Sequence, residues 1–324
     1  MNSAQAASAG VKPKRNQVLM VPLDGSSLAE QALPVAGTIA HRQGMTVHLV
    51  SVFEEIPVFF TSLAGAEDVL ANPDLQRERR DELTGYLKAT AEALSTTHGV
   101  ETSFAVLTGA AAPALAHEER SRHAGLVVMT THGHGGLCRL WLGSVADRLL
   151  RRTSAPVLLL RSSEEVPPAE FHHILIALDG SPEGEGVLEP AIRMGSRTQG
   201  SRFTLAQVVE PPVALITRMA AYPANLPPKW QEAQEQCARN YLERVGLGLR
   251  ARGLEVKAEL ISARGPGEQI ANCARRIGAD LIAVGTHGAR GMERMLLGSV
   301  ADKIIRAAQH AVLVVPTHKE RSQS

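Results

Sequence analysis

Along this chain, short runs of Val, Ile and Leu alternate with longer stretches in which apolar residues recur every three or four positions. The short runs, such as VLMVPL from Val18 and PVLLL from Pro156, lack the apolar and polar alternation of a strand that faces water on one side. They fit strands of a parallel sheet covered by helices on both faces. The pattern predicts strands over about 17–23, 46–53, 101–107, 125–130 and 156–161, and helices over about 27–42, 75–98, 112–123 and 144–152. The second half repeats this, with strands near 173–179, 202–209, 255–262, 280–285 and 311–316 and helices in the four segments between them. Strands alternating with helices predict an α/β fold, with one doubly wound sheet in each half.

The halves are copies of one unit. VLMVPLDGS (Val18–Ser26) recurs as HILIALDGS (His173–Ser181), which pairs Asp24 with Asp179 at an offset of 155. At the same offset Thr131, His132 and Gly133 match Thr286, His287 and Gly288, and GSVAD recurs from Gly143–Asp147 to Gly298–Asp302. So regular a duplication predicts two domains of one fold. The expected layout is a disordered start over 1–16, a first domain over 17–161, a linker over 162–171, a second domain over 172–317 and a tail over 318–324. The linker, SSEEVPPAEF, is charged and carries paired prolines, as exposed connections do.

Doubly wound sheets bind ligands beyond the carboxyl ends of their strands, where the winding reverses. Asp24 and Asp179 end the first strands, and glycine-rich segments follow the fourth strands, so both features belong to that edge. In the second half, GTHGARGMERMLLGS places two residues between Gly285 and Gly288, nine between Gly288 and Gly298, and Ser299 next. Glycine lets backbone amides approach a phosphate closely, and the first amides of a helix starting at Ser299 attract anions. The spacing therefore points to a polyphosphate ligand. Asp-Gly-Ser is also an ordinary turn and helix start. In the functional alternative, each carboxylate bonds a ribose or helps to hold a phosphate-bound magnesium ion.

Asp at the end of the first strand, followed later by Gly-xx-Gly-(nine)-Gly-Ser, resembles the universal stress protein family in its tandem two-domain form, over nearly the whole chain after residue 16. The resemblance implies five-stranded parallel sheets of order 3-2-1-4-5, of the adenine nucleotide alpha hydrolase-like kind, and an ATP-binding site with accompanying Mg2+. It implies that Gly285, Gly288, Gly298, Ser299 and Val300 meet the phosphates and ribose, while Ala177, Asp179 and Val208 frame the nucleoside. In the first half Pro22, Asp24, Val52, Gly133, Gly143, Ser144 and Val145 match, but Thr130 stands where the second copy has Gly285. A β-branched residue there adds bulk and restricts the backbone, so the second domain is expected to be the stronger site. In this family the fifth strands, PVLLL from Pro156 and AVLVV from Ala311, pack two domains about a pseudo-twofold axis. One chain would then be an intramolecular pseudo-dimer, and further pairing to a homodimer stays open.

Composition narrows the alternatives. The 34 Lys and Arg against 33 Asp and Glu leave a formal charge of +1, with no basic surplus for nucleic acid. No run approaches the ~20 apolar residues of a membrane span. Three separated cysteines, Cys138, Cys237 and Cys273, read as free thiols of a reducing, cytoplasmic compartment. No GxxxxGK, GxGxxG or GxSxG occurs, which argues against a P-loop motor, a dinucleotide enzyme and a serine esterase. His132, His134 and Cys138 lack a fourth zinc ligand. His132 and His287 have no paired nucleophile, so no catalytic residue is assigned. The expected function is a nucleotide-dependent stress-response or signalling module with an unknown protein partner. The alternatives are a slow ATP hydrolase or phosphotransferase and a nucleotide-free scaffold. The segments over 54–73 and 210–229, rich in Pro and apolar residues, read as lids, interfaces or irregular connections.

Overall fold

The structure is a computed structural model that describes residues 17–54, 73–131, 142–161, 170–195, 200–211, 228–286 and 297–317. The expected tails, most of the linker, most of both proline-containing segments, and His132, Gly133, His134, Cys138, His287 and Gly288 lie outside the described residues.

Among the described residues ten strands form, each within one residue of its predicted bounds. They are β1 (Val18–Pro22), β2 (Thr46–Phe53), β3 (Thr102–Thr108), β4 (Ala124–Thr131) and β5 (Val157–Arg161), then β6 (His173–Leu178), β7 (Arg202–Val209), β8 (Glu255–Ser262), β9 (Leu281–Gly285) and β10 (Ala311–Val315). They make one sheet of order β3-β2-β1-β4-β5-β10-β9-β6-β7-β8, so each half has the order 3-2-1-4-5. Within each half the strands are parallel, and β5 meets β10 antiparallel. In that pairing Leu158 faces Leu313, its own counterpart at the offset of 155. The pseudo-twofold axis therefore passes between these two leucines, and the carboxyl edges of the halves lie on opposite edges of the sheet.

The helices are α1 (Ser27–Glu30), α2 (Ala32–Gln43), α3 (Pro73–His98), α4 (Ala111–Ser121) and α5 (Ser144–Leu150), then α6 (Leu188–Gly195), α7 (Pro228–Arg250), α8 (Pro266–Ile277) and α9 (Ser299–Ala307). The single helix expected over 27–42 is in fact two pieces broken at Gln31. Pro34 has no N–H to give, and its ring crowds the carbonyl of Glu30 four residues earlier. The chain tightens there, with Gln31 N donating to the Leu28 carbonyl at 3.3 Å. In the second half Pro190 acts similarly, and a 3-10 turn (Glu183–Val187) precedes α6.

Side chains of successive strand residues enter two core layers. Leu158 and Leu160 join Leu313 and Val315 on the face of α2, α3, α6 and α7, while Val157 and Leu159 join Val312 and Val314 on the face of α4, α5, α8 and α9. Both layers run through the two halves without interruption, so burial of apolar area ties the domains together as well as helix to sheet.

Three histidines sit inside this framework. His48 is fully buried between Ser103 Oγ, 2.8 Å from Nδ1, and Glu118 Oε1, 3.0 Å from Nε2. His173 Nε2 lies 2.9 Å from Thr204 Oγ1. Burial pushes the pKa values of His48, His173 and half-buried His310 below the usual histidine value, with Arg122, Arg202 and Arg275 adding to the effect in turn. Glu118 and Asp280 act in the opposite sense, Glu118 on His48 and Asp280 on the other two. Burial alone would raise Glu118, but hydrogen bonds from Arg122 and His48 overcome it and hold the carboxyl low.

These shifts set a direction for acid stability. The native histidines resist protonation while the unfolded ones accept it, so the unfolded chain binds more protons once pH falls below about 6.5. Stability is complete above that value and declines beneath it, by at most about 1.4 kcal/mol per pH unit for each histidine. Calorimetry is expected to give a lower Tm near pH 5.5 than near pH 7.5, with His48→Gln narrowing the gap. An unchanged gap in that variant would remove His48 from the explanation.

Candidate functional site

In each half the strand order runs outward in both directions from one junction, between β1 and β4 in the first and between β6 and β9 in the second. A crevice opens there at the carboxyl ends, because the following helices leave to opposite faces. Asp24 and Asp179 stand one or two residues beyond β1 and β6, and both are exposed.

Both aspartates are held by one local motif. Asp24 Oδ1 accepts from Ser26 N at 3.0 Å and Ser26 Oγ at 2.6 Å, and Asp179 Oδ1 accepts from Ser181 at the same two distances. Each serine in turn caps the next turn, accepting from Ala29 N at 3.1 Å or Gly184 N at 3.0 Å. The helix cap is thus Ser26 rather than Asp24, and the aspartate orients the cap. Gly25 and Gly180 between them have φ of +79° and +85°, a left-handed conformation that favours glycine.

Across each crevice a helix starts on glycine. Gly143 before α5 has φ −58° and ψ 145°, and Gly298 before α9 has φ −59° and ψ 145°. The two loops therefore arrive in one backbone conformation, with Ser144 and Ser299 exposed at the first helical positions and Val145 and Val300 half-buried behind them. Gly298 N also donates to the Thr286 carbonyl at 2.8 Å, which fastens the start of α9 to the end of β9. Glycine supplies no side-chain acceptor to these helix starts. Neighbouring helices at the same edges do have one: Ser26 caps α1, Glu54 Oε1 accepts from Ala111 N of α4 at 3.0 Å, and Glu210 Oε1 accepts from Gly265 N before α8 at 3.3 Å.

The apolar candidates form a half-buried shelf beside those starts. Val52 and Val145 in the first half, and Ala177, Val208 and Val300 in the second, all pack on the same core layer as α5 and α9. Pro22 is the half-buried counterpart of Ala177. Leu107, opposite Val52 in the β2–β3 register, and Ile261, opposite Val208 in the β7–β8 register, extend the shelf. Sequence reasoning missed both, because their place depends on the register between β2 and β3 and between β7 and β8.

The two crevices differ in detail. Thr130 is buried inside β4, which continues to Thr131, whereas β9 stops at half-buried Gly285. In the second half a Cβ on Gly184 would lie 2.3 Å from Asp179 Oδ1, so the 3-10 turn brings backbone against the carboxylate. A Cβ on Gly267 would lie 2.9 Å from the Val300 carbonyl, so α8 packs unusually close to the first turn of α9. The repeat counterparts are Ala29 and Ala112, and that comparison is the signal by which both glycines were findable in the sequence. Of the three cysteines, Cys237 is free and exposed and Cys273 is free and buried, with burial raising the Cys273 thiol. Among the described residues no cluster of His, Cys, Asp and Glu could hold a metal by itself, and no helix is long and apolar enough to cross a membrane.

Comparison with known proteins agrees with this architecture. The model of the Universal stress protein family matches residues 15–161 and again 170–316. The chain is 26% identical over 302 residues to a universal stress protein of Mycolicibacterium smegmatis, covering 92% of this chain and 96% of that protein. It is 26% identical over 317 residues to one of Mycobacterium tuberculosis, covering 94% and 98%. The crystal structure of a universal stress protein from Archaeoglobus fulgidus has the same fold, with a TM-score of 0.68 at 19% identity over 93% of this chain and 98% of that one. The chain belongs to the universal stress protein family, with two such domains in tandem.

Proposed function

We propose that this protein is an ATP-binding module of stress signalling, that its second domain is the stronger site, and that a partner protein reads the occupied state. The observation that supports it most is the pair of glycine-started helices, α5 and α9, opening on the switch-point crevices while the neighbouring helix starts carry protein caps. Helix-start amides that carry no such cap among the described residues suit an anion, and the half-buried shelf of Ala177, Val208, Ile261 and Val300 suits a purine. Asp24 and Asp179 stand across each crevice, where a carboxylate can bond a ribose or share a phosphate-bound Mg2+. Gly285, Gly288, Gly298 and Ser299 would face the phosphates in the second domain, and Gly133, Gly143 and Ser144 in the first. The chain's own part is to bind and orient the nucleotide, and a conformation that differs between empty and filled sites gives a partner something to distinguish.

Titration calorimetry with Mg-ATP tests this directly. ATP at one hundred times Kd is expected to stabilise the native chain by about 2.7 kcal/mol. Gly298→Val keeps a backbone conformation open to any L residue but places a branched side chain where phosphate must approach, so it is expected to fold normally and lose second-site affinity. No binding by the native chain at millimolar ATP would refute the proposal in favour of a nucleotide-free scaffold. Gly184→Ala supplies a finer check: its Cβ displaces Asp179, so second-site affinity is expected to fall about tenfold with first-site affinity unchanged. Equal affinity in that variant would show that Asp179 makes no net contribution to binding.

A further inference from the structure

A side chain of the first domain reaches into the second. Arg161 is the last residue of β5, paired with Thr131 at the foot of the first domain's glycine loop. Its side chain crosses the pseudo-twofold boundary. Nε donates to the Ala308 carbonyl at 2.8 Å, Nη2 donates to the same carbonyl, and Nη2 also reaches the Arg306 carbonyl at 3.4 Å. Arg306 and Ala308 lie in and just beyond the last turn of α9, where carbonyls lack helical partners and a cation is favoured.

The contact leads along the helix to the candidate phosphate loop. The carbonyl of Arg306 receives Arg161, while its own Nε donates to Asp302 at 2.9 and 3.0 Å. Asp302 N in turn donates to the Gly298 carbonyl at 2.9 Å. Gly298 is the residue on which the helix begins. A chain of hydrogen bonds thus runs from the first domain's sheet to the start of α9, along a helix whose end is set by a desolvated guanidinium. Burial lowers the pKa of Arg161, as expected for a part-buried cation.

The arrangement is not reciprocated. The repeat counterpart of Arg161 is Pro316, which has no side-chain donor to offer the end of α5. The end of α5 is instead held within its own domain, by Arg120 Nη1 on the Arg152 carbonyl at 3.2 Å. Of the two phosphate helices, only α9 is anchored from across the axis by this position.

Resting on the ATP-binding reading above, we propose that Arg161 is a positioning residue for the second-domain nucleotide site, so that the first domain sets the affinity of the second. Arg161 touches no nucleotide. It fixes the far end of the helix whose first amides receive the phosphates. Without the clamp, the helix end frays and the start of α9 is held less firmly against β9.

The test uses the full chain with Arg161→Met, which keeps an apolar stem without charge, and Arg161→Lys, which keeps the charge without the fork. Photolabelling with 8-azido-ATP over a concentration series, with the labelled peptides assigned to each half, reads the two sites separately. Thermal unfolding without nucleotide reads global stability. Arg161→Met is expected to weaken labelling of the second half about tenfold and leave the first half unchanged, and Arg161→Lys to recover part of the loss. A lower Tm with both affinities unchanged, or equal weakening in both halves, would overturn the positioning role and leave a structural one. If the native chain takes up no ATP in either half, the binding reading fails first and this inference falls with it.

Discussion

Leu158 and Leu313 face each other at the centre of the β5–β10 ladder, and the arrangement of everything else follows from that antiparallel pairing. Both strands are almost wholly buried runs of Val and Leu, and left unpaired each would present an apolar edge to the solvent. Joined, they make one ten-stranded sheet whose two core layers cross the domain boundary. Because the join is antiparallel, the two halves point in opposite directions. Each crevice therefore opens on its own edge of the sheet, and the C-terminal end of α9 comes within reach of the first domain's carboxyl edge.

A symmetrical scaffold does not require equivalent sites. The aspartate turns agree to the tenth of an ångström in the bonds each carboxylate accepts, and the glycine starts of α5 and α9 agree to within one degree. Around them the copies diverge. Gly184 and Gly267 bring backbone tightly against Asp179 and Val300, where the first half has Ala29 and Ala112. Gly285 ends β9, where buried Thr130 continues β4. Arg161 bonds the carbonyl just beyond the end of α9, where its counterpart Pro316 has no side-chain donor to offer the end of α5. Each difference is small, and together they set the second domain apart from the first.

The internal repeat makes much of this legible in the sequence. The offset of 155 by itself assigns Asp24 and Asp179, and the two copies of GSVAD, to corresponding places in the two domains. Strand bounds are readable because fully buried parallel strands are continuous apolar runs with sharp ends. The break at Gln31 is open to reading too, because Pro34 lies inside the helix predicted over 27–42, where a proline removes a hydrogen bond and crowds the carbonyl four residues earlier. Leu107 and Ile261 escape notice because they join the shelf through a neighbouring strand, and apolar periodicity does not give the register that sets them opposite Val52 and Val208.

The sequence by itself determined the two domains, their strands and the residue types at each crevice, since burial pattern and local turn chemistry are properties of adjacent residues. Only the tertiary structure decided how β5 and β10 pair, which residues complete the shelf, and that Arg161 reaches the end of α9. Those contacts join positions separated by about 55 residues in the shelf and by about 150 across the axis, and their geometry comes from strand register, for which a linear pattern of apolar residues carries no signal.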